Sequence, residues 1–167
     1  MINTTQVRRV LMGAAATTAL LAGVSTPAAA AEFPEGVKFR IQNYQTKGCV
    51  SASVGLGQVQ AQVIPEVDLC TAEHAVWVQG SGDSIRSVVR ETNEPGVHWC
   101  LTGSDTGRVT TEPCNGSWNQ KWTHYSEGFV KNWATKLCLD VKSESPNVVY
   151  TRGCLKHEWQ KWAFKRI

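Results

Sequence analysis

The sequence predicts an all-β fold in which three hairpin units close a single barrel. Three observations carry this expectation. Tryptophans recur at Trp77, Trp122 and Trp162, spaced by 45 and 40 residues, each a few residues after a cysteine. The six cysteines fall two to a repeat. The segments between them are short, alternate in polarity and are punctuated by Gly, Pro, Asn and Asp, with no long 3.6-residue apolar stripe, which is the signature of short strands and turns. A period near 40 residues also suits a propeller blade, but three blades are too few to close a ring, whereas three hairpin units close a barrel. A length of 167 residues fits one domain.

Taken in chain order, the first 31 residues hold Arg8 and Arg9, an apolar run from Val10 to Val24, then Pro27 and Ala29-Ala30-Ala31. This is the layout of a secretory signal peptide cleaved at or near Glu32. The apolar run of about 15 residues is shorter than the roughly 20 that span a bilayer. Residues 32–167 are therefore expected as one exported, extracellular domain with no membrane span. The paired arginines leave the general and twin-arginine export routes both open. The small-residue-rich leader is similar in composition to those of GC-rich bacteria.

Within that domain the units run over about 37–80, 81–125 and 126–167. Each begins with an alternating run: Lys38 to Gln42, Ser84 to Val89, and Gly128 to Asn132. Cys49-Val-Ser, Cys100-Leu-Thr and Cys138-Leu-Asp follow as equivalent segments. The units then close on Cys114-Asn-Gly-Ser-Trp-Asn-Gln-Lys-Trp122 and Cys154-Leu-Lys-His-Glu-Trp-Gln-Lys-Trp162, while Cys70 precedes Trp77 by seven residues, with Ala75 at the glutamine's place. With one early and one late cysteine per unit, the economical pairing is Cys49–Cys70, Cys100–Cys114 and Cys138–Cys154. Loops of this size contribute about 3 kcal/mol each when unstrained. Exported cysteines favour disulfides, and no pair has zinc-ribbon or thioredoxin-like spacing.

Charge narrows the partners. The chain has 17 basic and 14 acidic residues, and loss of Arg8 and Arg9 with the leader reduces +3 to +1. A nucleic-acid binder needs a basic stripe to displace counterions, so nucleic acid is not the expected partner.

Three Gln-x-Trp-type units, each with an internal cysteine pair after a Cys-Leu-Asp-like start, resemble the ricin B-type lectin domain. The resemblance covers about residues 37–167 and implies a β-trefoil that binds sugars without catalysis. It also implies a structural role for Trp77, Trp122 and Trp162, in keeping with large rings buried at one place in every unit. The paired glutamine is suited to bridging turn backbone groups. For sugar binding, the resemblance implies an aspartate in Cys-x-Asp, an aromatic two residues before the second cysteine, and an asparagine before the glutamine.

No unit carries the whole pattern. The third comes nearest, with Asp140 and Gln160 for hydroxyl contacts, Tyr150 as a displaced platform, and Arg152 and Trp159 where the aromatic and the asparagine are implied. Strand alternation puts Tyr150 and Arg152 on one face, and Arg152 favours an anionic sugar. Asp140 equally suits the fastening of a local turn. The second unit retains Asn119 and Gln120 but has Thr102 and Glu112 at the other places, a weaker site. The first has Ser51 and Asp68 and lacks the glutamine. Four tryptophans, Trp99, Trp118, Trp133 and Trp159, exceed the repeated core and either cover the barrel ends or mark a contact surface.

Catalytic signatures are missing. His74, His98, His124 and His157 lack HExxH-like spacing, no Gly-x-Ser-x-Gly occurs, and Cys100 beside His98 is better used in a disulfide. No metal or cofactor is expected. The sequence thus points to a secreted lectin whose partner is a glycan or polysaccharide. Its rival is a protein-binding trefoil serving as targeting or accessory subunit of a secreted, toxin-like complex, with a protease inhibitor as a weaker third reading.

Overall fold

The structure, a computed structural model, describes residues 35–52, 61–66, 70–89, 95–142 and 145–167. The expected leader and Asp68 lie outside the described residues. Each repeat contributes four strands. The first supplies β1 (Lys38–Asn43), β2 (Cys49–Ala52), β3 (Ala61–Glu66) and β4 (Trp77–Gln79). From the second come β5 (Ile85–Ser87), β6 (Trp99–Gly103), β7 (Val109–Pro113) and β8 (Trp122–His124). The third has β9 (Val130–Asn132), β10 (Cys138–Lys142), β11 (Ser145–Arg152) and β12 (Trp162–Arg166).

The outer strands of the repeats form a closed ring. β1 pairs with β4, β4 with β5, β8 with β9, and β12 returns to β1, all antiparallel. The bridges Ser84↔Lys121 and Phe129↔Lys161 join β5 to β8 and β9 to β12. A ring closed in this way presents no strand edge to solvent. The inner hairpins β2–β3, β6–β7 and β10–β11 cap one end, linked by β3–β7 pairing and by the bridge Arg108↔Tyr150. This is the β-trefoil, with one hairpin cap per repeat. The alternating runs read from the sequence lie on β1, β5 and β9. The last two strands are shorter than those runs: Ser84 and Phe129 make single bridges ahead of them, and Val88 and Val89 turn helical after β5.

Three tryptophans organise the core. Trp77 and Trp162 are fully buried and Trp122 nearly so. In each repeat the indole Nε1 donates to the carbonyl of the residue after the first cysteine: Val50 at 2.7 Å, Leu101 at 2.9 Å and Leu139 at 3.0 Å. The repeat therefore encodes a ring together with a partner for its polar edge, as a buried indole requires. Gly103 leaves room here, since a Cβ on it would lie 3.0 Å from Trp122 and 3.1 Å from the Asn132 amide and would press both aside by a few tenths of an ångström. The disulfides are Cys49–Cys70, Cys100–Cys114 and Cys138–Cys154, as the repeat predicts, with no link between repeats.

His124 on β8 stacks on Phe164 with ring centroids 4.3 Å apart, and its Nε2 lies 3.2 Å from the Trp162 carbonyl. Burial pushes its pKa down, outweighing the hydrogen bond that raises it. The unfolded chain then binds a proton near the ordinary value of about 6.5 that the folded chain refuses. Stability carried by this group is present above that value and falls as the pH is lowered through it. His124→Phe, which keeps the stack, is expected to flatten this part of the acid limb; urea unfolding of both proteins between pH 7 and 5 measures the difference.

Candidate functional site

In the third repeat, alternation along β10 sends Leu139 and Val141 into the core and turns Asp140 the other way. The β10–β11 register sets Asp140 beside Tyr150 and Cys138 beside Arg152. All four share a face. The 3-10 turn Glu158–Gln160 then brings Gln160 back over β10. Asp140 Oδ1 accepts from the Val141 amide at 2.7 Å, and Oδ2 accepts from Gln160 Nε2 at 2.9 Å. Arg152 Nη1 donates to the Tyr150 hydroxyl at 3.4 Å. Asp140, Tyr150, Arg152 and Gln160 therefore form one group.

That group is not an open hollow. Asp140 is 1% exposed, and the His157 imidazole lies 3.6 Å from its Oδ2 while remaining 35% exposed itself. Burial raises the Asp140 pKa, opposed by the hydrogen bonds from Gln160 and Val141 and by the charges of His157 and Arg152. Gln160 is engaged on every side within the protein. Its Nε2 donates to Asp140 and to the Gly153 carbonyl, and its Oε1 accepts from the Leu155 and Lys156 amides. Both amide protons and both lone pairs are occupied, so Gln160 positions Asp140 and has nothing left for a sugar hydroxyl. Trp159 is half-buried and packs against the core, and its carbonyl accepts from Asn43 Nδ2.

The second repeat repeats the arrangement without the charge. Gln120 donates to Thr102 Oγ1 and the Pro113 carbonyl and accepts from the Asn115 amide. Thr102 is buried and donates to the Cys100 carbonyl. Glu112 accepts from Thr110, and Asn119 accepts from Ser117. Ser51 of the first repeat is also buried.

The surplus tryptophans divide. Trp99 is buried and Trp159 half-buried, whereas Trp118 is 62% exposed and meets Trp133 edge to face at 6.2 Å. A second repeated motif, missed in the reading of the sequence, underlies this pair: Asn43-Tyr-Gln-Thr-Lys47 and Asn132-Trp-Ala-Thr-Lys136. It stands six residues before the first cysteine of its unit in both cases, so the cysteine alignment contained it. Among the described residues no cluster of three or more His, Cys, Asp or Glu is placed to hold a metal, and no helix is long and apolar enough to cross a membrane.

The description of the ricin-type beta-trefoil lectin domain matches residues 37–162. No curated protein sequence matches the chain. Among solved structures, the β-trefoil lectin of the Vibrio vulnificus hemolysin/cytolysin, with N-acetyl-D-lactosamine bound, is 16% identical with a TM-score of 0.64, covering 78% of this chain and 95% of that one. A non-toxic homologue of type II RIPs from Momordica charantia (bitter gourd), in complex with α-methyl-D-galactoside, is 20% identical with a TM-score of 0.63, covering 78% and 48%. An exo-β-1,3-galactanase from Clostridium thermocellum is 16% identical with a TM-score of 0.62, covering 81% and 31%. The chain spans less than half the length of the last two.

Proposed function

The chain belongs to the ricin-type β-trefoil lectin family, and from that premise we propose that it is an exported, non-catalytic lectin that holds carbohydrate at its third repeat through Asp140. One observation supports this above the others: Asp140 is fixed by Gln160 and Val141 on the face that also carries Tyr150 and Arg152. A carboxylate accepts from two vicinal hydroxyls, and an adjacent ring covers the C–H face of the sugar. In this reading His157 swings off Oδ2 to admit the sugar, Arg152 selects by charge, and Trp159 backs the site. The second-repeat set of Thr102, Glu112, Asn119 and Gln120 binds more weakly, for want of a carboxylate at position 102.

Galactosides and N-acetyl-lactosamine lead the panel to be tested, since two fold relatives hold them. Asp140→Ala is expected to weaken glycan binding about tenfold to a hundredfold, the worth of a charged hydrogen-bond acceptor. His157→Ala is expected to retain or strengthen binding. Calorimetry on both variants, with circular dichroism to confirm folding, checks this, and binding indifferent to Asp140→Ala removes the assignment.

The protein-binding accessory role stands as the second reading, favoured by the buried Ser51 and Thr102 where the first two repeats would need a carboxylate. It predicts a stoichiometric protein partner in material purified from culture supernatant, which the lectin reading does not.

A further inference from the structure

We propose that the cleft where the second repeat meets the third is a separate binding site for acidic saccharides, with Trp118 and Trp133 as its platforms. The proposal rests on the lectin reading for the ligand's being a saccharide, but it does not involve Asp140.

The cleft is built by Asn132. This side chain is fully buried, and its Oδ1 accepts from the Ala134 and Thr135 amides at 3.1 Å each. Its Nδ2 donates to the Asn119 carbonyl at 2.8 Å and the Lys121 carbonyl at 3.4 Å. One amide thus ties the turn before β10 to the 3-10 turn Trp118–Gln120 of the preceding repeat. Together with the β8–β9 pairing and the Trp133 amide's bond to the Lys121 carbonyl at 3.0 Å, it brings Trp133 and Trp118 to an interplanar angle of 84°. Trp133 is held further by its Nε1, which donates to Thr123 Oγ1 at 2.7 Å. With Tyr125, Lys131 and Lys136 these residues line a cleft of ≈ 360 Å³, within the range of small-ligand sites of about 300–1,000 Å³.

The chemistry of the lining selects the ligand. Exposed indole faces take the C–H face of a sugar ring, while ammonium groups beside them take an anion. Lys136 Nζ stands 5.8 Å from the Trp118 ring centre and Lys121 Nζ 5.4 Å from that of Trp133. Among the described residues Lys121, Lys131 and Lys136 make no ion pair. At the equivalent junction of the third repeat with the first, Glu158 stands in Trp118's place and neutralises Lys161 at 2.6 Å. The second repeat has replaced that carboxylate with a ring, so Lys121 lacks the partner that Lys161 has among the described residues. Glu127 is the nearby acid; it lines the adjoining cleft with Tyr125, Lys131 and Lys156. The framework recurs where the third repeat meets the first, with Asn43 donating to the Trp159 and Lys161 carbonyls and Lys47 Nζ 5.8 Å from the Tyr44 ring. Such recurrence makes the cleft a property of the repeat rather than an accident of one loop, and the Trp118 version is the one that sets a second ring where its counterpart has the Glu158 carboxylate.

Titration of the ¹⁵N-labelled protein with trigalacturonate tests the proposal, with its fully methyl-esterified form as the neutral control. The expected result is saturable shifts of the Trp118 and Trp133 indole N–H signals, with the ester at least about tenfold weaker and binding weakened by added salt. Trp118→Ala, at an exposed position outside the core, and Lys136→Glu are each expected to raise the Kd about tenfold or more. Asp140→Ala leaves the trigalacturonate-induced shifts of the Trp118 and Trp133 indole signals unchanged, even though it weakens galactoside binding if the third-repeat site is correct. Equal affinity for acid and ester, indifference to both cleft variants, or loss of binding in Asp140→Ala alone would each overturn the cleft. So would the absence of any saccharide response together with a protein partner retained through Trp118.

Discussion

Trp162→Ala is expected to lower the unfolding free energy by about 3–5 kcal/mol, the range for truncating a large aromatic in a packed core. The ring is fully buried, its Nε1 bonds the Leu139 carbonyl, and the strand it opens closes the barrel against β1. Against a typical total of about 5–15 kcal/mol this is a large fraction, so the urea midpoint moves far toward zero. Trp162→Phe keeps most of the apolar area but strands that carbonyl, at about 1–3 kcal/mol. Far-UV circular dichroism is the suitable probe, because six other tryptophans mask any one ring in fluorescence. A loss below about 1 kcal/mol for the alanine variant would mean that the three rings do not share one core.

Gln160→Ala ranks next. It leaves the Gly153 carbonyl, the Leu155 and Lys156 amides and Asp140 Oδ2 each short of a partner. Buried groups left unsatisfied cost about 1–3 kcal/mol apiece before water reaches them, and a loss of about 2–4 kcal/mol is expected once the exposed turn rehydrates. The variant also removes the leading hydrogen bond that holds the Asp140 carboxyl down, so its pKa rises further. Glycan binding in Gln160→Ala is then expected to fall away at a higher pH than in the parent protein, as the carboxyl takes up its proton. Gln120→Ala makes the informative contrast: it frees Thr102 rather than a carboxylate, and Thr102 keeps its own bond to the Cys100 carbonyl. It is expected to destabilise without shifting the pH dependence of binding. The first repeat, with Ala75 at this place, shows the fold accepting the loss where the closing segment is one residue shorter.

The sequence was most informative where a feature is written in local spacing. The offset from Cys114 to Trp122 and from Cys154 to Trp162 was enough to place two rings, two glutamines and two disulfides correctly. It was least informative where two repeats meet. Trp118 and Trp133 are 15 residues apart, and the β8–β9 pairing, the Trp133 amide's bond to the Lys121 carbonyl and the Asn132 side chain reaching back to the Asn119 and Lys121 carbonyls together make them neighbours. The role of Gln160 was half legible: its bridging of turn groups follows from the residue type, but the complete use of its hydrogen bonds does not.

Taken alone, the chain's residues determined the threefold repeat, the all-β class, the pairing of the cysteines and the identity of the core tryptophans, because each follows from what recurs at a fixed interval. The tertiary structure decided which polar groups face water. Asp140 lies beneath His157 and the Glu158–Gln160 turn, whereas Trp118 is 62% exposed and meets Trp133 only edge to face. Burial depends on what ring closure packs above a residue, and that covering comes from distant parts of the chain whose approach no interval records.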